Sequence, residues 1–402
     1  MPSADRALRV LTVTHNYPRF RGDPAGAFVA RIAEGVAARG HQVEVLAPHA
    51  PGIPESEQAN GVSVRRFRYA PERLQRVAYT GGLHQGTLRS PWAALAFPGF
   101  LLAFNHSVHA HVRRFVPDVI HAHWWFPGGW LASRSHVPYL VTSHGSDVRL
   151  LERGSLVRRK ARHVLRRAAR VTTVSRFLAD DVRRLLPDLG INVAVTPMPV
   201  DVASFVAGAA EPKAVPPRVL FAGNLVPSKG VDLLLLAAAA LTRRRVNYHL
   251  KILGQGPAQS SLQSLSQRLG LAEHVTWTPF VSQSQMPREY GATTVTVLPS
   301  RGSAEGLGLT LVEALLAGSA VVGTPAGGIP EVVRHEETGL LSRGDDPDDL
   351  ADQIQRLLLD APLRDRLSRA GREHMLQSYS PESSIGRFLD LYDAVAHDNS
   401  NR

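Results

Sequence analysis

The chain has 402 residues, is 44% hydrophobic, contains no cysteine and carries a formal net charge of +11. That length and apolar content favour two domain cores over one. Without cysteine there is no disulfide framework and no thiolate chemistry, and no run of eighteen apolar residues is present to form a spanning helix. The charge is uneven: residues 1–200 hold 27 Lys/Arg against 13 Asp/Glu, a net +14, and residues 201–402 hold 19 against 22, a net −3. A basic first half points to an anionic partner there, either a membrane surface, a lipid phosphate or nucleic acid. The N-terminus shows no signal-peptide pattern, since residues 8–13 are a short apolar run that reads as a strand, and a reducing cytoplasm is the expected setting.

In chain order, residues 8–13 read as a buried strand and residues 15–26 as a loop holding Pro18, Gly22, Pro24 and Gly26. Residues 27–39 have helical spacing, with Phe28, Ile32 and Val36 on one face, and residues 43–46 return as a strand. Strand, loop, helix and strand predict a right-handed βαβ unit, although the loop is not G-x-G-x-x-G. Residues 62–67 are another strand, residues 69–90 an irregular stretch with Gly81, Gly82 and Gly86, and residues 91–116 a helix. The next two strands, residues 118–121 and 137–142, lead to His123 and to the Ser143-His144-Gly145-Ser146-Asp147 turn. Both imidazoles are thereby expected just past the carboxyl ends of parallel strands, where open α/β sheets bind ligands. His121, His123 and His144 could instead hold a metal, but no carboxylate cluster accompanies them. Trp124 and Trp125 suit either a sugar face or the core.

Residues 149–170 are strongly basic: Arg149, Arg153, Arg158, Arg159, Lys160, Arg162, Arg166, Arg167 and Arg170. As a helix this stretch is amphipathic and cationic, either a solvated surface helix or one lying on anionic lipid. No nucleic-acid recognition motif appears. Residues 171–174, 176–185 and 193–196 complete a first domain over residues 1–205, and the Gly/Ala/Pro-rich residues 206–217 read as a linker.

Residues 218–222 begin a second parallel sheet, followed by Gly223-Asn224-Leu225-Val226-Pro227-Ser228-Lys229-Gly230 and a helix over residues 231–243. Lys229 is a point charge near a helix start, suited to a diphosphate. Residues 249–253 with Gly254 repeat the strand and glycine turn. Residues 295–298 form a strand, a loop with Pro299, Gly302, Glu305 and Gly306 follows, and helical spacing begins near Leu309. The first turn of that helix, from Gly308, aims backbone N–H groups and the positive end of a dipole at one spot. Glu305 and Glu313 flank it, with no basic residue at helical spacing from Glu313 and no evident structural role. Carboxylates accept hydroxyl pairs of ribose or a sugar ring. Gly327-Gly328-Ile329-Pro330-Glu331 makes a further small-residue loop. The acidic residues 345–349 start a helix favoured by its dipole rather than a metal site.

Pro-Ser, Glu305, Gly306-Leu307-Gly308-Leu309, Glu313-Ala314, Ala317-Gly318, Val321-Val322 and Gly327-Gly328-Ile329-Pro330-Glu331, in this order and spacing, resemble the donor site of the retaining nucleotide-sugar glycosyltransferases of family 4. The likeness covers nearly the whole chain and is densest over residues 218–341. It implies the α/β GT-B fold: two doubly wound parallel-sheet, Rossmann-like domains with an interdomain cleft and a last helix, residues 381–397, crossing back to the first. The first domain is expected to bind the acceptor and residues 218–380 the nucleotide-sugar. The resemblance further implies metal-independent transfer to a glycan or lipid-linked acceptor in envelope, exopolysaccharide or glycolipid synthesis, with no cofactor. Catalytic roles fall on His123, Glu305 and Lys229. Donor contacts fall on Gly26, His144, Gly223, Asn224, Lys229, Gly254, Phe280, Val281, Glu305, Gly306, Leu307, Gly308, Leu309 and Glu313. The family commonly has Arg where Asn224 stands, and Asn cannot supply that charge. Residues 149–170 are the expected contact with an anionic membrane surface, peripheral on its inner face, and nucleic acid is not an expected partner. A non-catalytic nucleotide-sugar binder or membrane-docking protein is the alternative, and an epimerase or phosphorylase of the same fold a third reading.

Overall fold

The computed structural model describes residues 6–75, 77–79, 91–279, 281–303 and 305–400, without the side chains of residues 91, 92 and 398–400. Gly81, Gly82, Gly86 and Phe280 lie outside the described residues. The chain divides into two units, one of residues 1–174, 178–199 and 382–402, the other of residues 175–177 and 200–381.

The first unit is built on β1 (Arg9–Val13), β2 (Gln42–Pro48), β3 (Ser56–Ala59), β4 (Val62–Phe67), β5 (Val119–His123), β6 (Tyr139–Ser143), β7 (Arg170–Thr173) and β8 (Val193–Val195). Their order is β3-β4-β2-β1-β5-β6-β7-β8. All pairs are parallel except β3 with β4, a hairpin the expected elements omit. Its turn is Asn60-Gly61, both at positive φ (49° and 81°), as a two-residue type I′ loop requires. The chain runs outward from β1 through β2 to β4, then restarts on the other side at β5. The β1/β5 boundary is therefore a topological switch point, where doubly wound sheets hold ligands.

The helix Ala27–Ala37 buries Val29, Ile32, Ala33 and Val36 against Val43, Val45, Val62 and Val64. The last helix, Pro381–Ser400, joins the same cluster through Ile385, Phe388, Tyr392 and Val395, recurring every three or four residues on one face. Tyr392 Oη lies 2.7 Å from His121 Nδ1, and Thr142 Oγ1 2.7 Å from His121 Nε2. His121 is thus a satisfied core residue and offers nothing to a metal. The basic stretch folds as Ser146–Leu150, a turn at Leu151–Arg153 and the helix Ser155–Arg167, which buries only Ala161, Val164 and Leu165.

The second unit has six parallel strands: β9 (Arg218–Ala222), β10 (His249–Leu253), β11 (Val275–Thr278), β12 (Val295–Leu298), β13 (Ala320–Gly323) and β14 (Leu340–Leu341). Their order, β11-β10-β9-β12-β13-β14, places a second switch point between β9 and β12. The expected boundary at residue 205 and linker over 206–217 need correction, because residues 200–217 belong to this unit. Residues 202–208 form a helix whose Phe205 is 1% exposed with its ring centroid 6.0 Å from that of Tyr290. The small residues that suggest a linker serve close packing instead. A methyl group at Gly208 would lie 2.3 Å from the Pro287 carbonyl oxygen, and one at Gly291 1.9 Å from that of Gly208. Lys213 Nζ then donates to the Thr293 and Gly318 carbonyls, each at 2.8 Å.

Candidate active site

In the second unit, the loops after β9, β10, β12 and β13 meet at the carboxyl edge of the sheet. Their backbones approach so closely that side chains are excluded. A methyl at Gly230 would lie 1.9 Å from the Pro299 carbonyl oxygen, and one at Gly327 1.9 Å from that of Glu305. Both glycines also sit at positive φ, 66° and 55°, which side chains rarely adopt. Gly254 packs in the same way against the Gly223 carbonyl, so two of the expected donor-site glycines support each other. The Gly328 N–H donates to Glu305 O at 3.0 Å and the Arg301 N–H to Ser228 O at 2.9 Å, fastening the β12 loop on both sides.

This fastening brings Lys229 and Glu305 together, 76 positions apart in sequence. The Lys229 ammonium donates to Glu305 Oε2, and Ser300 Oγ donates to the same oxygen at 3.2 Å. The two side chains are only 21% and 12% exposed. The family resemblance implies that the two residues are neighbours, each a ligand group; in the folded chain each is also the other's partner. Gly308, at φ 88°, starts the helix Leu309–Leu316, and Thr310 Oγ1 in its first turn donates to Ala222 O at the end of β9, 3.2 Å away. The helix N-terminus therefore lies beside Gly223 and brings the positive end of its dipole to that edge. Leu307 is buried beneath the loop, and Gly306 and Leu309 are half-buried. One turn into the helix, Glu313 has Tyr290 Oη at 3.4 Å and Gln283 Nε2 at 3.5 Å. Burial, then the Glu313 charge, raises the Tyr290 hydroxyl well above its usual pKa. Glu313 thus has protein partners, contrary to its reading as a carboxylate with no structural role. Asn224 is exposed and its carbonyl accepts from the Val226 N–H; Val281 is half-buried.

In the first unit, His15 and His144 follow the carboxyl ends of β1 and β6, and His123, expected just past its strand, is instead the last residue of β5. His123 Nδ1 lies 2.9 Å from His144 Nε2, while His123 Nε2 and His144 Nδ1 are buried with no hydrogen-bond partner. Burial, reinforced by the neighbouring imidazoles, holds both well below the usual histidine pKa, so both are neutral at physiological pH. Two neutral rings sharing one hydrogen bond have coupled tautomers. Whichever ring donates between them, one of the two outer nitrogens carries a proton and the other a lone pair. The pair thus offers one donor and one acceptor, at its two opposite ends.

Trp124 packs on His15 and His144, with ring centroids 4.2 Å and 4.6 Å away, and Nε1 donates to Ser146 Oγ at 3.0 Å. Its φ of 64° is strained for a bulky residue, a state that clusters at functional sites. Both tryptophans are buried, which fits the packing reading. Gly26, at φ 68°, starts the helix Ala27–Ala37, and a methyl there would lie 2.2 Å from Asn16 O. Asp147 is the residue sequence reasoning misses. Its carboxylate, 1% exposed, accepts from the N–H groups of Trp125 (3.1 Å), His144 (3.0 Å) and Gly145 (3.2 Å), locking the two histidine loops together. Burial raises its pKa and these hydrogen bonds oppose the rise. The available signal was an acid three positions after His144 at a helix start, the spacing of a cap. Among the described residues no three His, Asp or Glu side chains are grouped as a metal ion would need.

Two parallel-sheet α/β units, with glycine loops and a charged pair gathered at the switch point of the second, define a GT-B nucleotide-sugar glycosyltransferase. Family models agree: residues 25–199 match a glycosyl transferase 4-like domain and residues 209–374 the glycosyl transferases group 1. The chain belongs to this family of glycosyltransferases, family 4. It is 30% identical, over 95% of its length and 97% of the relative's, to a GDP-mannose-dependent alpha-(1-6)-phosphatidylinositol monomannoside mannosyltransferase of Mycobacterium tuberculosis. It is 31% identical to a D-inositol 3-phosphate glycosyltransferase of Nocardia farcinica, over 87% of this chain and 80% of that one. Among solved structures, sucrose-phosphate synthase from Thermosynechococcus elongatus superposes with a TM-score of 0.79 at 23% identity, covering 97% of this chain and all of that one. Anabaena Alr3699/HepE in complex with UDP and glucose superposes at 0.68 and 17%, over 98% and 100%.

Proposed function

We propose that this glycosyltransferase moves a hexose, with retention at the anomeric carbon and without a metal, from a nucleoside-diphosphate sugar to a hydroxyl of an inositol-bearing or other lipid-linked acceptor. The relatives' names supply the substrate classes, with GDP-mannose the first donor to test. The observation that carries the chemistry is the half-buried Lys229–Glu305 pair beside the helix that starts at Gly308. A diphosphate bound there takes the Lys229 ammonium and the helix amides, which stabilise the charge that grows as the sugar–phosphate bond breaks. The same exchange frees the Glu305 carboxylate for sugar hydroxyls. Glu313, beside Tyr290 and Gln283, turns to the ribose. In the first unit, the His123–His144 pair presents its one donor and its one acceptor, at opposite ends, to separate substrate hydroxyls. The acceptor's proton leaves with the departing diphosphate, so no separate base is required. The exposed basic face of the helix Ser155–Arg167 rests on anionic lipid, at about 1 kcal/mol per Lys or Arg near the surface.

The test is incubation with a panel of nucleotide-sugars and a phosphatidylinositol-type acceptor, following released nucleoside diphosphate and the product's anomeric proton by NMR. Acceptor-dependent release, an unchanged rate in EDTA and an anomer matching the donor are expected. No acceptor-dependent release from any donor would overturn the reading.

A further inference from the structure

Lys229 stands on a turn that the hydrophobic core does not hold. Leu225 and Val231 are buried on either side of it, but the turn itself, Pro227–Lys229, buries no residue. Its place relative to Glu305 is therefore set by polar contacts, and one residue of the β12 loop, Arg301, grips it from both sides. The Arg301 N–H donates to Ser228 O at 2.9 Å. Its guanidinium donates through Nη1 to Pro227 O at 3.3 Å and to Asp232 Oδ1 at 2.7 Å, and through Nη2 to Asp232 Oδ2 at 3.0 Å. Pro227 and Ser228 precede Lys229, and Asp232 follows it in the first turn of the helix Val231–Arg243. Nε donates to Asp345 Oδ1, beyond the end of β14, so the guanidinium plane is held on its other edge as well. The neighbouring Ser300 donates to Glu305 Oε2. Two consecutive residues thus reach the two halves of the charged pair: Ser300 the carboxylate, Arg301 the turn that carries the ammonium.

We infer that Arg301 is a positioning residue for the transfer reaction, holding the Lys229 turn where its ammonium meets the leaving diphosphate. The inference rests on the role given to Lys229 above. An ion pair this exposed, 31% for Arg301 and 40% for Asp232, adds little to stability. A planar fork with two parallel hydrogen bonds, however, fixes geometry as well as charge. The Arg301 charge is engaged by two carboxylates, Asp232 and Asp345, so the residue acts through the place of Lys229 rather than by binding the diphosphate itself. The need for it arises when substrate arrives. Lys229 then leaves Glu305, its partner in the free enzyme, and the turn keeps its register through the Arg301 contacts.

A double-mutant cycle separates this role from a merely structural one. Arg301→Met, Lys229→Met and the double variant are compared by kcat and KM for nucleoside diphosphate release and by thermal unfolding. A misplacement of about 1 Å costs on the order of a hundredfold in rate. With the Arg301 N–H contact to Ser228 retained, Arg301→Met is expected to lower kcat by about tenfold, with KM for the nucleotide-sugar within about threefold of wild type. In the Lys229→Met enzyme the same change should move kcat by less than about twofold, while its effect on the unfolding temperature persists. Asp232→Asn, which weakens the fork from its other side, is carried through the same cycle with the same expectations, so a poorly folding Arg301→Met does not leave the question open. If these changes lower kcat equally in both backgrounds, or lower only the unfolding temperature, the inference fails and the role of Lys229 stands. If Lys229→Met itself keeps kcat within about threefold of wild type, the role of Lys229 fails and the inference with it.

Discussion

Replacing Lys229 by Met keeps most of the length of the side chain and removes its charge and its N–H donors. An ammonium about 4 Å from a phosphate oxygen at an effective dielectric of 20 contributes about 4 kcal/mol. Part of that attraction is already spent on Glu305 in the free enzyme, since the two side chains are in contact and only 21% and 12% exposed. A net loss of about 3 kcal/mol in the transition state remains, which is roughly a hundredfold or more in kcat. The same substitution leaves Glu305 with Ser300 at 3.2 Å and costs about 1–3 kcal/mol of stability as a partly buried charge loses its partner. Steady-state kinetics of nucleoside diphosphate release, with thermal unfolding monitored by circular dichroism, read both effects. Lys229→Arg should recover part of the rate. A folded Lys229→Met enzyme with kcat within threefold of wild type would refute the reasoning.

Gly327→Ala places a methyl 1.9 Å from Glu305 O and displaces the loop that carries it; because misplacement by about 1 Å costs on the order of a hundredfold in rate, kcat should fall by about that much. Gly302→Ala has a similar φ of 57° but meets nothing within 4 Å, so it should cost about 1 kcal/mol of stability and leave kcat unchanged. Asp147→Ala orphans the buried N–H groups of Trp125, His144 and Gly145, and urea denaturation should show a loss of about 3–5 kcal/mol. Burial pushes His121 down to about 3 and holds His123 and His144 well below their usual pKa. The unfolded chain, at about 6.5, then binds more protons than the folded one. Stability is full above pH 6.5 and falls as pH drops toward the folded values, by about 1.4 kcal/mol per unit for each histidine; urea midpoints that stay flat from pH 7 to 5 would contradict this.

How far the sequence reads depends on whether the relevant partner is near in the chain. The glycine loops and the helix that starts at Gly308 are legible because strand, turn and helical spacing follow each other without a break. The doubly wound order follows from the same alternation. The pairing of Lys229 with Glu305 is not legible, because it depends on two loops fastened by backbone contacts at Gly230 and Gly327. Residues 206–217 mislead for a physical reason: small residues permit a flexible tether and also a close helix approach, and here Gly208 meets Gly291. Asp147 is hard to read because its work is done on backbone N–H groups, and the one trace in the sequence is its cap spacing after His144. The Asn60-Gly61 hairpin was in plain sight as a turn signal, but the strand before it, Ser56–Ala59, is polar and shows no apolar alternation.

The central claim is that the carboxylate held by Lys229 serves the transferred sugar and not the fold. Glu305→Gln keeps the shape and removes the charge, so its kcat for transfer from the preferred nucleotide-sugar, measured beside its affinity for the nucleoside diphosphate, tests that claim most directly. The account predicts a hundredfold or greater loss of kcat with diphosphate affinity equal to or tighter than wild type, since Lys229 no longer has a carboxylate to leave. Unchanged turnover, or loss of turnover only in step with loss of folding, would contradict it.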